Sequence, residues 1–229
     1  MKGIILTLEG SMAHFKRPET NNNPLTYSLI HKPAIIGFIG AVTGQERKDM
    51  APLFPILCED LLISITVLTP IEKDSCANTK RSAMASSFGA PGRYYWEYLK
   101  DPKYRLVIAL KDKRSEEIFE LFCNNIKNNR SAYAPYLGVA KCPAKITFIE
   151  EVNVSEEEKK GIFLTNAIFS KEHSIDLSKE TEILFERIPL SESNDWEYSS
   201  FIEIVCPFKE VKIEGQYRNI SNETKAWFL

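Results

Sequence analysis

The sequence has no apolar run long enough to cross a membrane. Its main apolar stretches, residues 33–42 and 61–67, fall well short of the roughly 20 residues that a spanning helix needs. The first apolar segment meets an acid at Glu9 after one strand's length, which does not fit a signal peptide. We therefore expect a cytoplasmic protein that does not contact a membrane.

The sequence also lacks the motifs that usually mark a metal centre or an active site. Its three histidines, His14, His31 and His173, are scattered, and its five cysteines show no C-x-x-C spacing. No G-x-S-x-G, P-loop or H-E-x-x-H motif occurs. We therefore expect reduced thiols, no metal and no cofactor, with His173 at the surface of an acidic stretch.

A large excess of one charge is missing too, since the net charge is -2. This excludes a protein that binds nucleic acid by bulk positive charge, but it does not exclude a basic patch. Residues 71–114 hold ten Lys and Arg against five acids, whereas residues 171–203 hold nine acids against three basic residues. The distribution indicates an anionic partner for the middle of the chain, or else two ordinary solvated faces of opposite sign.

The apolar pattern predicts an α+β protein. Alternating apolar residues indicate strands, and apolar residues at helical spacing indicate helices, which begin at Pro33 and after Ser115. The resulting βαββαβ order is that of a ferredoxin-like, RRM-like core. The four expected strands are residues 2–9, 61–67, 104–110 and 145–149.

The same pattern divides the chain into two regions. Residues 1–150 would form the ferredoxin-like domain, with an insertion at about residues 70–103 between its second and third strands. Residues 151–229 would form a β-rich C-terminal extension. Its expected strands are residues 162–169, 182–188 and 201–213.

Glycines recur on one face of the first predicted helix, at Gly37, Gly40 and Gly44. Each interior glycine costs about 1 kcal/mol relative to alanine, so something is expected to approach this face closely. We expect tight packing on the sheet, with direct ligand contact as the alternative.

Two segments have the composition of a single-stranded nucleic-acid site. The loop of residues 14–23 interleaves cations, Phe15 and asparagines, and the insertion combines Arg81 and Arg93 with three aromatic residues at 94–96. Cations neutralise phosphates, aromatic rings stack on bases, and amides read base edges. Two alternatives stay open: Phe15 either stacks on a base or anchors the loop in the core, and His14 either binds RNA or cleaves it.

Several segments, taken in order, resemble the CRISPR-associated protein 5 family. Its N-terminal signature is matched by residues 12–21, 25–28 and 35–44, the last a glycine-rich apolar helix. The Leu-Gly turn and Cys-Pro pair of residues 136–143 resemble a second landmark of the family, and residues 186–190 a third. Each motif is short, but the ordered set covers most of the chain.

The resemblance implies a non-catalytic subunit of a type I, I-B-like CRISPR surveillance complex (Cascade), of the RAMP superfamily, in antiviral defence. Such a subunit caps the 5′ handle of the guide RNA and contacts the backbone subunit and the large subunit. It meets target DNA only through the complex, and the insertion would be its thumb. The expected RNA-binding residues are His14, Phe15, Lys16, Arg17, Thr20, Asn21, Asn22, Thr26, Tyr27, Lys32, Lys80, Arg81, Arg93, Tyr94, Gly138 and Lys141.

One branch of the family cleaves precursor RNA, so a metal-independent endoribonuclease is the alternative function. In this chain His14 or Tyr27 would then act as acid and base. The comparable strand end of the nuclease branch carries a histidine, whereas residues 111–113 read Lys-Asp-Lys. This departure favours the non-catalytic subunit.

Overall fold

The structure, a computed structural model, combines α-helices with antiparallel β-sheets. It describes residues 1–20, 23–80, 92–175, 182–221 and 224–229, with the backbone alone at 78–80 and 92–93. The helices are α1 (Lys32–Thr43), α2 (Arg47–Asp60) and α3 (Glu116–Lys127). The strands are β1 (Lys2–Glu9), β2 (Met12–Ala13), β3 (Leu61–Val67), β4 (Glu72–Lys80), β5 (Gly92–Lys100), β6 (Lys103–Leu110), β7 (Lys145–Asn153), β8 (Lys159–Thr165), β9 (Phe169–Ser170), β10 (Ser174–Ile175), β11 (Ile183–Glu192), β12 (Tyr198–Pro207), β13 (Val211–Ile220) and β14 (Thr224–Ala226).

The main sheet has four strands in the order β3-β6-β1-β7, and every neighbouring pair is antiparallel. Alternation along β1 buries Ile4, Leu6 and Leu8 completely, because one face of the sheet carries the helices. Leu6 lies opposite Leu106, which in turn lies opposite Ile65 on β3. The strands predicted from alternation are therefore present.

Helix α1 begins where the sequence predicts. His31 is its N-cap, with Nδ1 accepting a hydrogen bond from the Ala34 amide at 3.2 Å, and Pro33 occupies the first turn. Gly44 ends the helix in the left-handed region, with φ of 81°. Phe38 of this helix meets Phe122 of α3 edge to face, which packs the two helices together.

Helix α2 was not predicted, and it changes the explanation of the glycine face. A Cβ on Gly40 would lie 2.8 Å from the sulfur of Met50, so this glycine lets α2, rather than the sheet, approach α1. Gly44 serves as the C-terminal cap, and the space beside Gly37 is empty. The expectation of tight packing on the sheet is therefore wrong for this face.

The insertion between β3 and β6 contains a β-hairpin. Strands β4 and β5 pair from Glu72 opposite Lys100 to Lys80 opposite Gly92. The short strand β2 pairs with the end of β5, Ala13 opposite Leu99. The hairpin is therefore attached to the segment that follows β1.

The C-terminal strands share one hydrophobic core with the main sheet. Phe169, Ile204 and Trp227 belong to the same buried cluster as the residues of β1 and α1. The single strand predicted at residues 201–213 is instead two strands, β12 and β13, separated by a turn. His173, predicted at the surface, is buried, and its Nε2 accepts a hydrogen bond from the Gln216 amide at 3.0 Å.

Candidate nucleic-acid interface

The segment after β1, predicted as an irregular loop, folds back on itself. The Tyr27 amide donates to the Phe15 carbonyl at 2.8 Å, and the Arg17 amide donates to the Leu25 carbonyl at 2.9 Å. The hydroxyl of Thr26 accepts from the Phe15 amide at 2.9 Å and donates to the Tyr27 carbonyl at 2.9 Å. Thr26 is therefore the buried link that holds the two arms of this segment together.

Several side chains expected at the RNA surface lie inside the protein instead. Their exposed fractions do not exceed 4%, so a nucleotide has no access to them in this conformation. For these positions, direct RNA contact is not supported, and their contacts show a structural role. They are His14, Phe15, Thr26, Tyr27 and Lys32.

Phe15 is the clearest of these cases. Its ring is 2% exposed and packs against the rings of His31 and Tyr104, at centroid distances of 5.8 and 6.5 Å. Of the two alternatives, the structure supports the anchor in the core rather than a stacking face for a base.

His14 is held by the hairpin. Its Nδ1 lies 2.7 Å from the Glu97 carbonyl, and its ring lies 4.8 Å from Trp96 and 5.5 Å from Tyr98. Burial lowers the pKa of His14, so the neutral ring donates from Nδ1 to that carbonyl. Nε2 has no hydrogen-bond partner among the described residues. A buried, neutral imidazole is poorly placed to exchange protons with an RNA substrate.

Tyr27 is buried as well. Desolvation raises its pKa to about 12, and its ring lies under the guanidinium of Arg17, 5.1 Å from the centroid. A phenol with a raised pKa gives up its proton less readily, so this geometry does not favour Tyr27 as a base.

Gly138 joins the two regions that the sequence motifs mark. Its φ is 84°, and a Cβ at this position would lie 2.0 Å from the His14 carbonyl oxygen. Beside it, the His14 amide donates to the Leu137 carbonyl at 3.1 Å. Glycine is required here both by the left-handed backbone and by this close approach. The turn of residues 134–143 is thereby fixed against the segment after β1.

Glu97 attaches the hairpin to the same place. Its carboxylate accepts from the Thr26 amide at 3.0 Å and forms an ion pair with Lys73 at 3.2 Å. Lys73 also donates to the Thr26 carbonyl at 2.9 Å. Hairpin, segment and turn therefore meet in one junction, which we define by His14, Glu97 and Gly138 and call the three-way junction.

The side-chain carboxylate of Glu186, from the C-terminal part of the chain, also supports this region. The side chain of Glu186 is only 6% exposed, forms an ion pair with Arg17, and accepts from the amide and the hydroxyl of Ser28 at 2.9 and 3.1 Å. The guanidinium of Arg17, which was expected at phosphates, is thus already engaged by a carboxylate of the protein. Glu97 and Glu186 were both missed as supporting residues. The only signal for Glu186 is its place in the third family-like segment.

Four of the residues expected to bind RNA are accessible to solvent near the junction. Lys16, Gly138 and Lys141 are exposed, and Tyr94 is half-buried. The ammonium of Lys141 lies 5.9 Å from the ring centre of Trp96, and neither Lys16 nor Lys141 has an ion pair in the part of the chain that the structure describes. These two cations are therefore available to phosphates.

The remaining expected residues lie elsewhere or are not described. Thr20 is half-buried, and its hydroxyl donates to the Arg17 carbonyl at 2.9 Å. Lys32 lies away from the junction, donates to the Leu229 carbonyl at 2.9 Å, and has its pKa lowered to about 8 by burial. Asn21, Asn22 and Arg81 lie outside the described residues, as do the side chains of Lys80 and Arg93.

A groove runs along α1 beside the junction. It has a volume of about 270 Å³, and its lining includes Lys16, Gly37, Tyr136 and Trp196. Among the described residues there is no cluster of His, Cys, Asp and Glu suited to a metal ion. Nor is any described helix long and apolar enough to span a membrane.

Comparison with known proteins identifies related families and folds. Residues 3–201 match the family model described as CRISPR-associated protein (Cas_Cas5). No curated protein matches the chain. The structure is similar to a CRISPR protein from Archaeoglobus fulgidus, with a TM-score of 0.57 and 15% identity over 99% of this chain and 98% of that chain. It is also similar to a chain of a CRISPR RNA-guided surveillance complex, with a TM-score of 0.56 and 18% identity over 92% and 91% of the two chains.

Proposed function

We propose that this chain, which belongs to the CRISPR-associated protein 5 family, is a non-catalytic subunit of a type I surveillance complex and holds the 5′ handle of the guide RNA. The observation that carries the proposal is the three-way junction. There, segments more than a hundred residues apart in sequence meet at Gly138 and present the unpaired cations Lys16 and Lys141.

The topology supports the assignment to the RAMP superfamily. The order β3-β6-β1-β7, with α1 and α2 between β1 and β3 and α3 between β6 and β7, corresponds to a ferredoxin-like βαββαβ core. We propose that the hairpin β4–β5, in the insertion between β3 and β6, is the thumb and crosses the RNA. Tyr95 on this hairpin is 49% exposed, which leaves an aromatic face for a base.

The proposal that the subunit does not cleave RNA rests on its candidate acid–base groups. His14 and Tyr27, the two candidates from the sequence, are 1% and 3% exposed. General acid–base catalysis requires hydrogen-bond reach to the substrate, which a buried group lacks. No observation in the described part of the chain favours the endoribonuclease alternative.

The partners follow from the same proposal. The guide RNA would occupy the junction and the thumb, while the backbone and large subunits would contact the remaining surface and target DNA would arrive only through the complex. That one similar fold belongs to a surveillance complex supports assembly of this kind. A cytoplasmic location stays a prediction from the sequence.

The test is RNA binding by the purified chain at two salt concentrations. We expect tighter binding to RNA carrying the repeat-derived 5′ handle than to a shuffled RNA, with affinity falling as salt rises because phosphate contacts release counterions. Lys141→Ala should weaken binding, whereas Lys160→Ala, a matched exposed lysine on β8, should not. Equal affinity for both RNAs would contradict handle recognition, and site-specific cleavage of precursor RNA would contradict the absence of catalysis.

A further inference from the structure

Gly37 is a helical glycine with nothing packed on it. It lies in the middle of α1, it is exposed, and a Cβ built on it would have no atom within 4 Å. Glycine inside a helix is unfavourable relative to alanine, and Gly40, three residues further on, is explained by Met50. The space above Gly37 therefore has no occupant within the described chain.

That space is the floor of the groove of about 270 Å³ beside the junction. Ala34 and Ala41, on the same face of α1, also line it, so the floor is made of small side chains. The lining also includes two aromatic residues, Tyr136 from the turn and Trp196 from the β11–β12 connection. A groove lined by small side chains and aromatic rings fits a flat ring better than an aliphatic side chain.

Trp196, in the lining of the groove, has an unusual backbone conformation. Its φ is 64°, a left-handed conformation that bulky side chains rarely adopt and that glycine or asparagine normally fills. The turn is closed by hydrogen bonds from the Ser193 amide to the Glu197 carbonyl at 2.8 Å and from the Trp196 amide to the Ser193 carbonyl at 3.1 Å. Strain of this kind is concentrated at functional sites. It provides an observation independent of Gly37 that points to the same groove.

We propose that this groove binds one unstacked nucleobase of the guide RNA handle. This proposal rests on the proposed function and specifies one part of its RNA site. Lys16 lines the groove and belongs to the junction, so a strand bound there can place a phosphate at Lys16 and turn its base onto Gly37. Glu192 is also in the lining, and a carboxylate there can accept hydrogen bonds from the exocyclic amino group of a base. The groove therefore favours an amino-bearing base over uracil.

The test fills the groove without removing any contact. Gly37→Leu adds a side chain to empty space and improves the helix propensity of α1, so its melting temperature should equal or exceed that of the wild type. The same variant should bind handle RNA about tenfold more weakly, since stacking of one base is lost. Asn124→Leu is the matched control, because it adds the same side chain at an exposed position of α3 outside the groove lining, and binding should be unchanged.

A spectroscopic measurement locates the base. A series of handle RNAs would each carry 2-aminopurine at one different position. With the wild-type protein, the fluorescence of only one RNA of the series should be quenched. With Gly37→Leu, this quenching should be absent. Trp196→Gly is a second variant, since it removes the ring while providing the residue that a left-handed backbone favours; it should also lose the quenching.

The outcomes separate the inference from the proposed function. If the wild type prefers handle RNA but Gly37→Leu binds it equally well with the quenching intact, the groove proposal is wrong and handle recognition stands. If Gly37→Leu keeps RNA binding and instead fails to assemble with the other subunits, the occupant is a protein and the proposal is likewise overturned. If the wild type does not distinguish handle from shuffled RNA, the proposed function itself fails.

Discussion

Two groups of lysines on this protein differ in whether they have a carboxylate partner. At the edge of the main sheet, Lys103 and Lys145 both pair with Glu9, each at 2.8 Å, and these hydrogen bonds lower the pKa of Glu9 to about 2. At the three-way junction, Lys16 and Lys141 have no carboxylate partner in the described part of the chain. The lysines of one region share an ion pair with a carboxylate and those of the other have none, so we expect the second group to be the one that serves a phosphate backbone.

The difference arises from backbone architecture. Glu9 lies directly opposite Lys103 on β6 and Lys145 on β7, so the ion pairs follow from regular antiparallel register. The lysines of the junction lie on irregular segments, whose shape depends on single residues such as Gly138. The comparison therefore predicts that single substitutions should damage the junction far more than the sheet edge.

The largest effect is expected at Gly138. Gly138→Ala places a methyl group in contact with the His14 backbone and forces alanine into a left-handed conformation, so the free energy of unfolding should fall by about 3 kcal/mol or more. Chemical denaturation measures this change. Gly37→Ala is the control, and it should be neutral or raise stability by up to about 1 kcal/mol. Equal stability of the two variants would mean that the turn is not fixed as the structure shows.

A smaller loss is expected at the buried carboxylate behind the junction. Glu186→Gln leaves Arg17 with only the exposed carboxylate of Glu19, at 3.9 Å, and because Arg17 is partly exposed we expect a cost of about 2–3 kcal/mol. Glu203→Gln, which breaks an exposed pair with Lys171, should change stability by less than about 0.5 kcal/mol. If both variants unfold at the same denaturant concentration, the Arg17–Glu186 pair does not support the fold.

The pH dependence should come next in size. Burial lowers the pKa of His31 from 6.5 to about 3, so between these values the unfolded chain binds a proton that the folded chain does not. Stability from this group is therefore full above pH 6.5 and falls on acidification, by about 1.4 kcal/mol per pH unit at most. Denaturation between pH 7 and 4.5 measures the slope, to which the lowered pKa of His14 adds in the same direction. His31→Asn keeps a capping side chain, and an unchanged slope in this variant would refute the assignment.

Regular parts of the fold could be predicted from the sequence because their cause is local. Alternation placed β1 and β3, and Pro33 marked the first turn of α1. Helix α2 was missed because Pro52 and Pro55 lie inside it, so its stability comes from packing rather than from its own pattern. Strands β4 and β5 were also missed, since β4 is polar and mostly exposed and β5 buries the adjacent residues Tyr98 and Leu99 rather than alternate ones.

The candidate site could be predicted only in part for the same reason. The family-like segments include the residues around His14 and Gly138, which meet in the structure. Burial of His14 depends on Trp96 and Glu97, which are more than eighty residues away in sequence. No local sequence pattern predicts that such distant residues bury this ring. Glu97 and Trp196 carry no sequence signal of their own, because their roles exist only after the hairpins have docked.

The smallest change in stability, and the sharpest test of the comparison, is expected for the lysines themselves. Lys16→Ala and Lys103→Ala should each alter the free energy of unfolding by less than about 1 kcal/mol, since Lys16 is exposed and Lys103 is partly exposed to solvent. Their effects on RNA should differ. Lys16→Ala removes a free cation, so affinity should fall for all RNAs alike and the slope of log affinity against log salt should flatten by about one. Lys103→Ala removes a cation that is held in an ion pair with Glu9, so both quantities should stay close to their wild-type values. Should the two variants show the same salt slope, the pairing of a lysine would not decide whether it serves the RNA.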